Sequence, residues 1–190
     1  MGRASLSHFP ATVLSIAVGF SSICYAAQRA EKVAHKIDSP DGQLRAVLIA
    51  IAPNTNYGSE ESRVEIRDRI NRLLSLKDFT STDSNHGEII DNSEWTPDSQ
   101  FFVFSTSSSG GHQPWQSPVW YYSRKEQRIR ELSELFDHRP VLSDDGPVFE
   151  IIAPHSVKIT TWKKPRLHEG DNVTLILNLA GSAPSGATTP

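Results

Sequence analysis

Hydrophobic residues follow two patterns along this chain: short continuous runs, and alternation with polar residues. Residues 44–51 form an apolar run that Pro53 ends, and this length and branched composition are typical of a buried strand. Residues 62–68 and 156–162 alternate between apolar and polar side chains, as strands with one buried face do. The pattern therefore predicts an all-β fold, in which residues 31–37 are irregular or a short edge segment.

Residues 60–79 admit two interpretations. Alternation over 62–68, a polar turn at 69–72 and a second apolar stretch at 73–79 predict a β-hairpin. Four apolar residues also satisfy the spacing of one helical face, namely Ile66, Ile70, Leu73 and Leu74. We favour the hairpin because neighbouring segments repeat the hairpin pattern, and the helix is the alternative. Similarly, residues 128–132 are predicted to pair with a strand at 119–123, with an exposed helix over 125–135 as the alternative.

Turn signatures recur along the chain. Residues 39–43 (Ser-Pro-Asp-Gly-Gln) combine a proline that sets φ, an aspartate that bonds its own backbone and a glycine that accepts positive φ. Residues 96–100 (Thr-Pro-Asp-Ser-Gln) match them in kind, and residues 143–147 form a weaker third turn. The spacings of 57 and 47 residues between these turns predict three similar units. Each unit consists of a turn, a buried strand, a loop and two alternating strands.

The first two turns, with the strands that follow them, resemble a known family. Residues 39–43 and 95–104 resemble the blade signature of the periplasmic Tol-type β-propellers, in which an aromatic residue and a Pro-Asp-Gly turn precede an apolar strand. Ser99 stands where that signature has glycine. The resemblance implies blade-like antiparallel sheets. Three units are too few for the usual closed ring, so we expect a partial propeller or stacked sheets.

The N-terminal segment differs in composition from the rest. Arg3 is the only charged residue before Arg29, and residues 11–23 are small and apolar, which is typical of a signal peptide and too short for a membrane-spanning helix. We predict a signal peptide at residues 1–26, with cleavage after Ala26. A short core helix and a lipid anchor at Cys24 are the alternatives. Export then places the mature protein outside the cytoplasm, in a bacterial periplasm, with no transmembrane segment.

Export changes the composition that matters for function. Without Arg3 the mature chain has 18 basic and 22 acidic residues, and this small dispersed charge argues against a nucleic-acid partner. The only cysteine is also removed, so a disulfide and thiolate metal sites are excluded. The histidines lack metal-ligand spacing, so we expect no metal and no cofactor. The β domain is predicted at residues 32–179, followed by a disordered tail at 180–190.

The loop at residues 107–118 is the candidate site. It begins with three serines and two glycines, whose backbone N–H groups could form an anion-binding nest. A histidine, an amide and an aromatic residue follow between two prolines, a combination typical of recognition surfaces. The predicted binding residues are Ser109, Gly110, Gly111, His112, Gln113 and Trp115. The alternative is that the glycines merely permit a wide turn, with Trp115 and Trp120 packed over the end of the sheet.

Three functions fit this sequence. We favour a binding or interaction module that acts through residues 107–118 on an envelope protein or a peptidoglycan or glycan fragment, without catalysis. A small secreted hydrolase is the first alternative, with Ser107 or Ser109 as nucleophile, His112 as base and Asp98 as the orienting acid. No Gly-x-Ser-x-Gly motif supports it. The second alternative is a structural accessory subunit of an envelope complex, whose sheet edges pair with a larger partner.

Overall fold

A computed structural model describes residues 29–54, 56–111, 117–135, 148–162 and 172–180 of the 190-residue chain. These residues form β-strands and one short 3-10 turn, without an α-helix. The all-β prediction is therefore confirmed. The predicted signal peptide, the third turn at residues 143–147 and residues 181–190 of the predicted tail lie outside the described ranges.

The strands form three antiparallel sheets. Their bounds are β1 Glu31–Asp38, β2 Leu44–Ile51, β3 Glu61–Asp68, β4 Leu73–Asp78, β5 Glu88–Trp95, β6 Phe101–Ser108, β7 Val119–Ser123, β8 Arg128–Glu131, β9 Phe149–Ala153, β10 Ser156–Trp162 and β11 Asn172–Asn178. Sheet A has the order β1-β2-β3-β4, sheet B the order β5-β6-β7-β8 and sheet C the order β11-β10-β9. Each sheet is built from consecutive strands, as expected of blade-like units.

Residues 60–79 form the hairpin β3–β4, and the helical alternative is wrong. The turn places Asn71 at φ 67°, and the Asp68 carboxylate accepts the backbone N–H groups of Ile70 and Arg72 at 3.1 and 2.8 Å. Val64 and Ile66 enter the core from one face of β3, so the period-two pattern reflects a half-buried strand. The helix considered over residues 125–135 is likewise replaced by β8 and a 3-10 turn at Leu132–Leu135.

The first two units share the geometry of their turns. Ser39 Oγ accepts the N–H of Leu44 and donates to Asp41, at 3.0 and 2.7 Å, and Thr96 Oγ1 makes the same two bonds to Phe101 and Asp98 at the same distances. These bonds are typical of an Asx-type turn in which a serine or threonine two residues before the aspartate also bonds to the turn. The similarity predicted from sequence therefore extends to individual hydrogen bonds.

Ser99 does not disturb the second turn. Gly42 has φ 66° and Ser99 has φ 62°, so the serine adopts the left-handed conformation that usually selects glycine. Its hydroxyl accepts the backbone N–H of Asp41 at 3.0 Å. The serine thereby links the turns of the first two units, and this contact accompanies its departure from the blade signature.

Sheet B is the middle layer, and both of its faces are buried. One face packs on sheet A through a cluster in which aliphatic residues of sheet A meet the aromatic residues Trp95, Phe102, Phe104 and Tyr122. The other face packs on sheet C through a second cluster that includes Phe101, Val103, Val157 and Ile159. Burial on both faces explains why the apolar run at the start of β6 is continuous rather than alternating.

The outer face of sheet A has no other sheet against it among the described residues. Its central residues are nevertheless buried, with 5% of Val47, 6% of Ile49 and 4% of Ile51 exposed. An ion pair between Arg63 on β3 and Glu31 on β1, 2.6 Å between Nη2 and Oε2, crosses β2 beside these residues. Three apolar residues near the margins of this face stay exposed, namely Val33, Leu73 and Leu76.

Candidate functional site

The candidate loop connects the central strands β6 and β7 of sheet B. Its two ends are joined where the backbone N–H of Thr106 donates to the carbonyl of Pro118 at 3.0 Å. Residues 112–116 lie outside the described ranges, so the predicted contacts of His112, Gln113 and Trp115 remain predictions. The described part of the loop consists of residues 107–111 and 117–118.

The first predicted binding residues occupy different environments. Ser109 is buried, its backbone N–H donates to the Gly87 carbonyl at 2.9 Å, and its hydroxyl donates to Glu61 Oε1 at 3.3 Å. Gly110 is half-buried, and Gly111 is exposed with φ 67°. Ser109 therefore attaches the loop to the body of the protein, whereas Gly111 faces solvent. Ligand contact by these three residues remains a prediction.

The Glu61 carboxylate is the centre of a buried polar network beneath the loop. Its side chain is fully buried, and it accepts the Ser81 backbone N–H at 2.8 Å, the Ser81 hydroxyl at 2.5 Å and the Gly87 N–H at 2.9 Å. Burial raises the pKa of Glu61, but hydrogen bonds from Ser81, Arg29 and Gly87 outweigh it and lower the pKa overall. The group is therefore a satisfied carboxylate at neutral pH.

Arg29 supplies the positive charge of this network. Its Nη2 lies 3.1 Å from Glu61 Oε2 and also donates to Ser84 Oγ at 2.7 Å. Its Nε and Nη1 donate to the carbonyls of Ala52 and Ser81, both at 2.9 Å. Gly87 must be glycine here, because a Cβ would collide with the Glu61 carboxyl group and the Phe79 carbonyl.

Sequence reasoning did not identify Glu61. Its side-chain partners Ser81, Arg29 and Ser109 lie 20, 32 and 48 residues away along the chain. In the sequence, Glu61 resembles any exposed glutamate at the start of an alternating strand. No pattern among neighbouring residues predicts contacts between residues so far apart in the chain.

A cleft of about 500 Å³ opens beside the edge strands β1 and β5, where sheets A and B meet. At one end the Trp95 indole N–H donates to the Ile37 carbonyl at 3.0 Å. At the other end the Ile90 N–H donates to Ser62 Oγ at 3.2 Å. The volume lies within the range of ligand-binding pockets.

A β-bulge occurs in each of the two edge strands that line this cleft. The register shifts between Val33 and His35 in β1, and between Ile90 and Asn92 in β5. The bulged residues are thus Ala34 and Asp91, which are 57 residues apart and equivalent in the first two units. Both line the cleft, and bulges of this kind redirect side chains next to functional sites.

Asp91 connects the cleft to the loop. Its Oδ1 accepts a hydrogen bond from the Ser107 hydroxyl at 3.0 Å, so a cleft-lining residue and the first residue of the loop are in direct contact. Partial desolvation raises the pKa of the Asp91 carboxyl group, and the bond from Ser107 opposes this effect. This one hydrogen bond therefore links the loop base to the lining of the cleft.

Trp120 packs beside the loop base rather than projecting from it. Its indole N–H donates to Thr106 Oγ1 at 3.2 Å, and Lys77 Nζ lies 4.4 Å from its ring centroid. Trp120 also contacts the Phe79 ring edge-on at a centroid distance of 5.2 Å. For this residue, the structure agrees with the interpretation of a tryptophan packed against the sheet.

Asp98 and Ser109, two described residues of the hydrolase alternative, are not brought together, and His112 lies outside the described ranges. Asp98 precedes β6 and Ser109 follows it, so a strand of eight residues separates them, or about 26 Å at the usual rise per residue. Asp98 lies 3.1 Å from His155 Nδ1 instead. Moreover, the described residues contain no group of three potential metal ligands. None of the described segments is a helix long and apolar enough to cross a membrane.

Comparison with known proteins identifies no family. No family model and no curated protein matches the chain. One similar solved structure is a candidate dipeptidyl aminopeptidase IV from Bacteroides ovatus, with a TM-score of 0.45 and 13% sequence identity. The match covers 76% of this chain and 22% of that protein. A likeness at this level supports no argument about function. The blade-like form rests on the strand pairing itself, and membership of the Tol-type family remains a prediction.

Proposed function

We propose that this protein is a binding module whose binding surface combines the loop at residues 107–118 with the cleft beside β1 and β5. The observation that carries the proposal is the hydrogen bond of 3.0 Å between Ser107 Oγ and Asp91 Oδ1, which joins the loop base to the cleft. Ser109 ties the same loop base to the buried carboxylate of Glu61. A loop held at its base on a sheet can present side chains with little loss of conformational entropy on binding.

The partner that we propose is an envelope protein or a peptidoglycan or glycan fragment. His112, Gln113 and Trp115 would supply hydrogen bonds and an aromatic face from the loop. The lining of the cleft combines apolar with polar residues, and ligand sites use such polar groups to orient the ligand. The described residues assemble no hydrolytic triad from Asp98 and Ser109, so binding without catalysis fits the geometry better than hydrolysis does.

Capture from envelope extract tests this function. Immobilised protein is exposed to the extract, and bound components are identified by mass spectrometry. We expect the double variant His112→Ala/Trp115→Ala to lose the captured component. Ile70→Ala is the matched control, because this residue is 75% exposed at the β3–β4 turn, away from the loop. Capture that survives the double variant would overturn the role of the loop.

A direct assay separates binding from hydrolysis. The protein is incubated with a panel of esters and peptides, and turnover is compared with that of Ser109→Ala. We expect no turnover by either protein. Hydrolysis that disappears in the variant would show that the protein is an enzyme.

Export to the periplasm is part of the same proposal. N-terminal sequencing of the protein recovered from the periplasmic fraction should begin at Ala27, two residues before the anchored Arg29. Recovery of that protein with Met1 intact would overturn cleavage of the predicted signal peptide.

An accessory structural role is a second candidate, favoured by the apolar margins of the outer face of sheet A. Val33, Leu73 and Leu76 are 49%, 45% and 46% exposed, and such residues can contribute to a subunit interface. If copies associate through this face, the thermal midpoint should rise with protein concentration. A midpoint independent of concentration would argue against self-association.

A further inference from the structure

The charged groups around the cleft are mostly of one sign. Among the described residues, its lining includes Glu60, Glu61 and Asp91 but no lysine or arginine, and His35 is the only histidine in it. Glu61 is neutralised by Arg29 within the buried network. Glu60 and Asp91 are therefore the acidic groups of the cleft that this network leaves uncompensated.

Asp91 has no cationic partner among the residues that the structure describes. Its Oδ1 accepts the Ser107 hydroxyl, and its Oδ2 makes no hydrogen bond or ion pair with any residue that the structure describes. Asp91 is exposed at the edge of the cleft, and an exposed carboxylate with an unbonded oxygen can accept a charge-assisted hydrogen bond from a cation. The β5 bulge sets its position, whereas the equivalent bulge in β1 carries the uncharged Ala34.

The remaining lining of the cleft is suited to an apolar stem. Ile37, Leu48 and Ile90 contribute to it, and all three belong to or pack against the core between sheets A and B. Lysine and arginine side chains bury their methylene groups on apolar surface while the charged end meets a polar group. A divalent metal is less suitable, because the described residues offer no group of three ligands.

We propose that this cleft binds an ammonium or guanidinium group carried on a short apolar stem, with Asp91 as its counter-ion. The inference rests on the proposed binding function and names the ligand chemistry of the cleft. A lysine or arginine side chain in a peptide and a free diamine share this chemistry. Ser107 positions the carboxylate, so ligand binding in the cleft also reaches the base of the loop.

Isothermal titration with three probes tests the proposal. The probes are a blocked Ala-Lys-Ala tripeptide, the same peptide with norleucine in place of lysine, and 1,5-diaminopentane. We expect the lysine peptide to bind about tenfold more tightly than the norleucine peptide, since a charge-assisted hydrogen bond separates them. Binding of diaminopentane equal to that of the lysine peptide would identify the amine alone as the recognised group, and weaker binding would identify the peptide side chain.

Three variants assign the effect to Asp91. Asp91→Asn should remove the preference for lysine over norleucine, while Glu94→Gln should retain it, because Glu94 is an exposed carboxylate on the same strand outside the cleft. Ala34→Asp adds a carboxylate at the equivalent bulge and should tighten diaminopentane binding. Thermal midpoints confirm that each variant is folded.

Two results would overturn the assignment of a cation to the cleft, and neither decides whether the loop binds a partner. Equal binding of the lysine and norleucine peptides, unchanged in Asp91→Asn, would overturn the cation assignment while retaining the cleft as a binding site. Absence of binding by both the lysine peptide and diaminopentane would also overturn it. In either case, capture from envelope extract independently decides whether the loop binds a partner.

Discussion

At the scale of single residues, the buried pair of Arg29 and Glu61 is the most consequential feature of the molecule. It joins the start of the described chain to β3, to the segment before β5 and, through Ser109, to the candidate loop. A buried ion pair contributes less net stability than its Coulomb attraction suggests, because both charges lose hydration. Removing one partner is nevertheless costly, because it leaves the other charge uncompensated.

Glu61→Gln should therefore destabilise the protein. We expect a loss of about 2 kcal/mol in the free energy of unfolding, below the roughly 3–5 kcal/mol for breaking a fully buried pair, because Arg29 keeps some access to water. Urea denaturation measures the loss. Glu60→Gln is the control, since this neighbouring glutamate is exposed. Equal stabilities of the two variants would show that the network contributes little.

The same carboxylate predicts a pH dependence. The pKa of Glu61 in the folded protein is lowered, so its stabilising contribution is complete above the unfolded-state pKa of about 4.3 and is lost as pH falls through the folded-state pKa. Stability measured across this acidic window should therefore fall less steeply in Glu61→Gln than in the wild type. Some slope should remain, because Arg124 and Ser39 also hold the pKa of Asp41 well below its usual range. Identical slopes in the two proteins would contradict this assignment.

The two turns provide a matched test of left-handed backbone. Gly42→Ala should cost about 1–2 kcal/mol, because a Cβ there meets no atom within 4 Å and only its φ of 66° is unfavourable. Ser99→Gly should be nearly neutral, since relief of a similar conformational cost offsets loss of the Asp41 N–H bond. Thermal unfolding compares the variants, and a strongly destabilised Ser99→Gly would show that the inter-turn bond dominates.

At the scale of secondary-structure elements, β6 is the central strand of the molecule. It pairs with β5 and β7, and its side chains enter two different cores on opposite faces. By contrast, β1 is an edge strand whose residues are almost all exposed. The strands β1 and β6 therefore have the same length but contribute very differently to stability.

Truncation of a β6 aromatic should show this difference. Phe102 is fully buried, with ring centroids 5.1 Å from Trp95 and 5.7 Å from Phe104. Phe102→Ala should lower the free energy of unfolding by about 3–5 kcal/mol, whereas Leu76→Ala, on a residue 46% exposed, should have a much smaller effect. Chemical denaturation of both variants checks the prediction, and similar losses would contradict the two-core role of β6.

At the scale of the whole molecule, the three units are joined by burial of sheet B on both faces. Sheets A and C each pack one face on it, so neither core can open without exposing residues of the middle sheet. The predicted blades are therefore coupled in folding although each is built from local hairpins. Local strand pairing favours rapid formation of each unit, and shared burial favours unfolding as one.

We therefore expect a single unfolding transition. Phe102→Ala weakens the core between sheets A and B, and Ile159→Ala weakens the core between B and C, where Ile159 is 1% exposed. Both should lower one common midpoint, with coincident changes in circular dichroism and tryptophan fluorescence. Two separate transitions in either variant would show that the cores unfold independently.

The sequence by itself determined the features that depend on near neighbours. Period-two alternation, turn residues at 39–43 and 96–100, and the apolar character of β2 and β6 predicted the repeat and most of the strands. Residues 31–37, expected to be irregular or a short edge segment, belong to the eight-residue edge strand β1. The sequence also located the loop at residues 107–118. These features are local because backbone geometry and side-chain direction repeat within a few residues.

Only the tertiary structure decided the rest. Residues 60–79 satisfied both periods in sequence, and packing of Val64 and Ile66 against sheet B selects the strand. The Arg29–Glu61 network, the contact of Ser107 with Asp91 and the cleft beside β1 and β5 arise from residues far apart in the chain. Such contacts depend on how sheets pack, which hydrophobic periodicity along one strand does not specify.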